Sequence, residues 1–261
     1  MDNVAYYSQL HLFLERHEAI WQASVVESDG STPARSGMKL AIPLNGEPFG
    51  NLGGGEMEHR VIALVRDTKP QGAQLLHFSL SADGSEASIS TSMICGGSVK
   101  VYLEALHLVN RLYIIGAGHC GRALGHLAKL CGYYVCLIDN RKEIIASSLG
   151  EYCHEAVYSD YADLAQVVPF HPENLVVIMT HGHLHDKEVL QQCLGKPLKY
   201  LGMIGSKRKV AQTFAILKEQ GYTDTDLAKC HAPIGLSIGS QTPYEIAVSI
   251  MAEIISLGKL R

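Results

Sequence analysis

The run RLYIIGAGHCGRALGHLAKLCGYYVCLIDNR, residues 111–141, constrains this chain more than any other stretch. An apolar segment at 112–115 leads into the pattern G-x-G-x-x-G at Gly116, Gly118 and Gly121. An amphipathic segment follows, then a second apolar run at 134–138 and the acid Asp139. Each glycine has a separate task in such a turn: Gly116 permits the tight bend, Gly118 lets the backbone approach a phosphate, and Gly121 lets the helix pack closely on the strand. The helix that the glycine run opens, expected at 122–131, adds partial positive charge and uncommitted N–H groups. Asp139 lies about 20 residues beyond the glycines, where dinucleotide-binding folds place the acid that reads an unphosphorylated ribose. Arg141 beside it would instead offset a phosphate.

The rest of the chain divides around this run. From residue 110 onward, apolar strands alternate with helical patterns, which indicates a parallel sheet with both faces covered. Strands are expected at 112–115, 134–138, 156–158, 175–179 and 200–203, with 229–231 a candidate sixth. Helices are expected at 122–131, 142–148, 163–168, 187–194, 207–220 and 243–257. The last has a full start signal in Thr242-Pro243-Tyr244-Glu245, an N-cap threonine, a proline at the first position and a glutamate three residues after the cap. Residues 1–109 read differently. A helix at 3–17, strands at 21–27, 38–43, 47–52, 73–80 and 99–106, a helix at 56–66 and loops at 28–35 and 81–91 make a smaller α+β domain, with Asn45-Gly46 as a tight hairpin link. The fold class is therefore α/β, a Rossmann-like parallel-sheet domain at 110–261 preceded by an α+β domain at 1–109.

Composition narrows the function classes. Charged residues are 18% of the chain, the net charge is −4 and the pI is about 6.3, so no basic surface recommends nucleic acid or anionic lipid. No apolar run approaches the roughly 18 residues of a membrane span, and the N-terminus lacks a positive region ahead of an apolar one. A soluble cytoplasmic protein is expected. Seven cysteines without a C-x-x-C fit neither a disulfide scaffold nor a zinc ribbon.

Other groups of residues suggest chemistry. Gly53-Gly54-Gly55 precedes a helix carrying Glu58, so backbone N–H groups there could hold an anion. Arg35 sits in the turn-rich segment Thr32-Pro33-Ala34-Arg35-Ser36-Gly37, and Cys95 precedes the pair Gly96-Gly97, a setting for a thiolate ligand. Thr180-His181-Gly182-His183-Leu184-His185-Asp186 follows the strand at 175–179, where open α/β sheets place ligands. It is similar to the T-H-x-H-x-D-H signature of metallo-β-lactamase-type hydrolases, with the last His and Asp reversed. Gly205-Ser206-Lys207-Arg208-Lys209 puts three cations at a helix start, against the dipole, which favours an anion such as phosphate. From the residues alone, an NAD(P)-dependent oxidoreductase using His181 or His183 as proton donor, a metal-dependent hydrolase and an interaction scaffold stay open beside a nucleotide-type binding protein.

Taken together, the motifs resemble the XdhC/CoxI family of accessory proteins for xanthine dehydrogenase and related molybdenum hydroxylases. In the first domain the resemblance rests on Pro33–Met38, Gly53–Glu58 and Cys95-Gly96-Gly97. In the second it rests on Gly116–Gly121, Asp139-Asn140-Arg141, Thr180-His181, Gly205–Lys209, Pro233-Ile234-Gly235-Leu236 and Thr242–Ala247. It implies a protein that binds molybdenum cofactor (molybdopterin, in its mono- or dinucleotide form), shields it while a terminal sulfido ligand is installed, and helps deliver it to the hydroxylase. It also implies a cysteine desulfurase as a further partner, and a homodimer is expected from delivery to dimeric clients and the apolar terminal helix. On this resemblance Gly116, Gly118, His119, Gly121, Asp139, Arg141, Thr180, His181, Ser206 and Lys207 hold the phosphate end. Arg35, Gly54, Gly55, Glu58, Cys95, Gly96 and Gly97 face the pterin and molybdenum, with Cys95 a ligand to the metal. Some family members carry Cys two residues before the acid matching Glu58; this chain has Glu56 there.

Overall fold

A computed structural model of the protein describes residues 2–15, 18–79, 89–90, 97–107 and 110–258. The chain divides into two compact units, Met1–Val109 and Asn110–Lys259. The first contains α1 (Asn3–Glu15), β1 (Ile20–Gly30), β2 (Lys39–Pro43), β3 (Phe49–Gly50), α2 (Gly55–Thr68), β4 (Gln74–Ser79), β5 (Ile89–Ser90) and β6 (Gly97–His107). Its strands form one sheet in the order β3-β2-β1-β6-β4-β5, antiparallel except for the β4–β5 pair.

The period-2 pattern of β1 and β2 decides which helix covers which face. Trp21, Ala23, Val25, Leu40 and Ile42 share a core with Val99, Val101 and Leu103 of β6, closed by Met57, Val61 and Val65 of α2 at four-residue spacing. Ile20 and Ala41, one residue out of phase, pack on the other face against Tyr6 and Leu10 of α1 and Phe49. The Trp21 indole N–H donates to the Pro70 carbonyl at 2.7 Å, fixing the chain as it leaves α2.

Three segments of this unit depart from the sequence reading. Residues 28–30, expected in a loop, extend β1 by pairing Ser28, Asp29 and Gly30 with Val99, Ser98 and Gly97. Ladder bonds to β6 outweigh local turn preference there, beyond a bulge between Val25 and Glu27. The strand expected at 47–52 is only two residues long, because Gly50 and Gly53 adopt φ of +99° and +113° and turn the chain away. Of the loop expected at 81–91, residues 81–88 and 91 lie outside the described residues, while Ile89–Ser90 pairs with Phe78–Ser79.

The second unit runs β7 (Arg111–Ile115), α3 (His119–Leu130), β8 (Tyr134–Asp139), α4 (Lys142–Ala146), β9 (Glu155–Tyr158), β10 (Leu175–Ile178), α5 (Asp186–Cys193), β11 (Tyr200–Met203), α6 (Lys207–Glu219), α7 (Asp224–Leu227) and α8 (Pro243–Ser256). Its sheet is parallel in every pairing, in the order β11-β10-β7-β8-β9. The strands are continuous apolar runs because both faces are covered. Leu112 and Ile114 meet α3 and α8 through Leu124, Ala128, Ile250 and Ile254, while Tyr113 and Ile115 share the other face's core with Leu190 of α5 and Val210 and Leu217 of α6. Each such fully buried aliphatic side chain stabilises the fold by roughly 1.5–3 kcal/mol relative to exposure.

The progression of strands reverses between β7 and β10, so the loops after these two strands flank a topological switch point. Residues 229–231 contribute one bridge, Gly202 to His231, in place of a sixth strand. Residues 163–168 give a single 3-10 turn at Leu164–Gln166. The unexpected α7 starts with a capping box between Thr223 and Asp226. Among the described residues no helix is long and apolar enough to cross a membrane.

Candidate functional site

The three glycines after β7 are held for different reasons. Gly116 has φ +120°, and a Cβ there would collide with the backbone of Met179 at the end of β10. Gly121, on the first turn of α3, faces the carbonyl of Gly116 so closely that a Cβ would overlap its oxygen. Gly118 is unlike both. It caps α3 with φ −69°, a value open to any residue, and a Cβ there would meet nothing within 4 Å among the described residues. Neither its backbone conformation nor packing against the described residues requires glycine at 118.

What lies beside Gly118 is a cavity of about 160 Å³ lined by Ala117, Gly118, His119, Arg122, Arg141, Ile144 and His181. Four of the residues singled out from sequence, Gly118, His119, Arg141 and His181, therefore share one wall system. Asp139 stands behind it. Its carboxylate is fully buried and accepts from Ala117 N at 2.7 Å, from Arg141 N and Nε at 3.0 and 2.8 Å, and from Arg141 Nη2 at 2.7 Å. Burial alone raises its pKa, but the hydrogen bonds from Arg141 and Ala117 and the Arg141 charge together bring it below the ordinary carboxylate value. The same pairing raises Arg141.

Arg122 and Ile144 escaped the sequence reading. The signal for Arg122 was its place four residues after Gly118, one turn into the helix that the glycine run opens, where a long side chain reaches back toward the N-terminus. Its Nε donates to Ser148 Oγ at 3.1 Å and its Nη2 to Ser147 Oγ at 2.6 Å and to the Ile144 carbonyl at 2.7 Å.

The histidine loop after β10 is ordered by Asp186. This buried carboxylate accepts from Thr180 N at 2.9 Å and Thr180 Oγ1 at 2.7 Å, and its other oxygen lies 2.7 Å from His183 Nδ1. Gly182 and His183 are both left-handed, at φ +61° and +62°. The three histidines diverge: His181 to the cavity, His183 to Asp186 and His185 to Glu188, 3.0 Å away. Among the described residues no three His, Cys, Asp or Glu side chains gather as metal ligands. Ser206 caps α6, accepting from Lys209 N at 3.3 Å, and Lys207 is exposed; neither lines the cavity.

In the first unit, Gly53, Gly54 and Gly55 all have positive φ, and a Cβ on Gly53 would meet the Ala34 backbone at 2.7 Å. Among the described residues nothing stands within 4 Å of where a Cβ on Gly54 would lie. Glu58 accepts from Leu52 N at 3.0 Å, tying the triple-glycine turn to α2. Arg35 is exposed. Gly97 lies so close to β1 that a Cβ would meet the Asp29 carbonyl oxygen at 2.5 Å. Cys95 and Gly96 lie outside the described residues.

Residues 112–254 match the family described as "XdhC Rossmann domain", and residues 13–79 match the "XdhC and CoxI family". The chain belongs to the XdhC/CoxI family. This XdhC/CoxI chain is 32% identical over 240 residues to the uncharacterized protein YqeB of Escherichia coli K12, covering 90% of this chain and 43% of that protein. It is 26% identical over 162 residues to a probable xanthine dehydrogenase subunit of Bacillus subtilis 168, covering 62% and 47%. It thus spans less than half the length of these curated relatives. A crystal structure described as a xanthine dehydrogenase from Bacillus halodurans shares the fold, with a TM-score of 0.51 at 21% identity over 96% of this chain and 94% of that one.

Proposed function

We propose that this XdhC/CoxI protein is an accessory factor for a molybdenum hydroxylase such as xanthine dehydrogenase, and that it binds molybdenum cofactor and assists its sulfuration and insertion. Family membership and the xanthine dehydrogenase names of two relatives support the accessory role. The observation that carries cofactor binding is Gly118. A glycine that packing against the described residues does not need, at a helix N-terminus beside a cavity with two arginines, suits close approach of a ligand phosphate.

The residues present fit the phosphate end of such a cofactor: Gly118 and His119 at the start of α3, Arg122, Arg141 and His181. When bound, the group supplies the molybdenum centre that the client hydroxylase requires. The chain's own part is to hold the phosphate on fixed N–H donors. In this proposal a cysteine desulfurase supplies the sulfur, the assembly is a homodimer, and Cys95 is the thiol that faces the metal.

The test is anaerobic titration of the full chain with molybdenum cofactor. Gly118→Val is expected to weaken binding sharply while leaving the fold intact, and Cys95→Ala to leave phosphate-end affinity but impair retention of the sulfurated form. Wild-type affinity in Gly118→Val, with wild-type retention in Cys95→Ala, would remove the proposed site.

A further inference from the structure

We infer that the cavity beside Gly118 recognises the dianion of a phosphate monoester between Arg122 and Arg141, and not the ribose diol and pyrophosphate of a dinucleotide. The inference rests on the reading above and narrows it: of the two forms of molybdenum cofactor, this chain takes the one that ends in a free phosphate.

Three observations converge on it. The first is Asp139, which stands where a dinucleotide fold keeps a ribose acceptor. A carboxylate has about four lone-pair positions, and Asp139 meets four N–H donors from Ala117 and Arg141 while fully buried. No position is left for a ribose hydroxyl. Its effect is to orient Arg141, whose Nε and Nη2 are held and whose remaining three of five N–H donors belong to a side chain 29% exposed at the cavity wall.

The second is Arg122. Its three hydrogen bonds go to two serine hydroxyls and a carbonyl, all neutral. Among the described residues it enters no ion pair. The guanidinium also lies over the Tyr152 ring, 5.4 Å from its centroid, so the cation is held in place by neutral groups and without a carboxylate, which leaves it able to pair with an anionic occupant of the cavity. Because its rotamer is already fixed, little side-chain entropy is lost on binding. A dianion gains more from such a site than the singly charged phosphates of a diester.

The third is size. The cavity is about 160 Å³. It suits one phosphate with the rest of the ligand outside.

The test uses calorimetric titration of the full chain with inorganic phosphate, NADP+ and NAD+, the last two differing by one phosphate monoester. Phosphate and NADP+ are expected to bind and compete, with NAD+ weaker by about tenfold or more, the effect of one charge-assisted contact. Phosphate affinity should also rise with pH as the probe gains its second charge. Arg122→Gln is expected to abolish the NADP+ over NAD+ preference, and the wild-type comparison stands even where this variant folds poorly. Equal binding of NAD+ and NADP+, phosphate that does not compete, or no binding by any probe overturns the inference. Competition with molybdenum cofactor separates the two claims. If the cofactor binds in a Gly118-dependent way but saturating phosphate does not displace it, this inference fails and the accessory reading stands; if phosphate binds and the cofactor does not, the reverse holds.

Discussion

Tyr200, the first residue of β11, donates its hydroxyl proton to Glu253 Oε2 on α8 at 2.8 Å. The same oxygen accepts from Gly235 N at 2.6 Å, and Oε1 lies 2.8 Å from His231 Nδ1. One carboxylate thereby joins the edge strand, the bridge residue beside it and the loop that leads to α8. Burial raises the Glu253 pKa, but Tyr200, Gly235 and His231 together bring it below the usual value. For a depressed carboxylate, the contribution to stability is present above the unfolded-state pKa of about 4.3 and is lost as pH falls through the folded-state value. Glu253→Gln should lower unfolding free energy at pH 7 by about 1–3 kcal/mol, and its deficit relative to wild type should shrink as urea denaturation is repeated toward pH 3. A deficit that does not change with pH would mean the carboxylate's charge is irrelevant there.

The glycine turn predicts opposite outcomes within six residues. Gly116→Ala and Gly121→Ala force a Cβ into backbone, so each should destabilise the second unit by about 1–3 kcal/mol or more. Gly118→Ala meets open space and exchanges only an N-cap preference, at up to about 1 kcal/mol. Thermal unfolding of the three variants checks this ordering. Equal losses at all three positions would show that 118 is structural too, and would weaken the ligand argument built on it.

This contrast also marks how far the sequence could be read. The motif G-x-G-x-x-G announced a strand, a turn and a helix because 112–115 and 134–138 are unbroken apolar runs, and a parallel sheet buried on both faces demands such runs. It could not reveal that Asp139 is saturated by Arg141, since that depends on the path of two residues after β8. Nor did it isolate Arg122, which in one dimension looks like a cation on a solvated helix face. The extension of β1 to Gly30 was hidden for a related reason: Ser28-Asp29-Gly30 has turn composition, and only pairing with the distant Gly97–Val99 makes it a strand. Apolar periodicity wrote most of the elements, whereas side-chain geometry, as between Asp139 and Arg141 or Arg122 and Ser148, wrote the site.

Asp186 organises the loop that brings His181 to the cavity. Asp186→Ala strands Thr180 N and Oγ1 without their acceptor, and one buried unsatisfied group costs about 1–3 kcal/mol, so a loss of about 3 kcal/mol is expected for the set. Thr180→Ser should keep most of that stability, and Thr180→Val should not. Hydrogen exchange at residues 180–185 reads the effect locally. Unchanged protection in Asp186→Ala would show that the left-handed pair Gly182-His183 holds the loop unaided.

Thiol chemistry separates the buried cysteines from the one the family resemblance singles out. Burial pushes Cys193 and Cys230 up to about 12 and raises Cys136 further. At pH 8 these three are almost wholly protonated, and the thiolate is the reactive form. Iodoacetamide should leave them unmodified in the folded protein and label them all after denaturation, with peptide mass mapping to assign each site. Cys95 gives the contrasting case. A thiol that handles sulfur or metal must be accessible as a thiolate, so its peptide should be labelled first in the native protein. Labelling of Cys95 as slow as that of Cys193 would remove it as the thiol of the proposed accessory function.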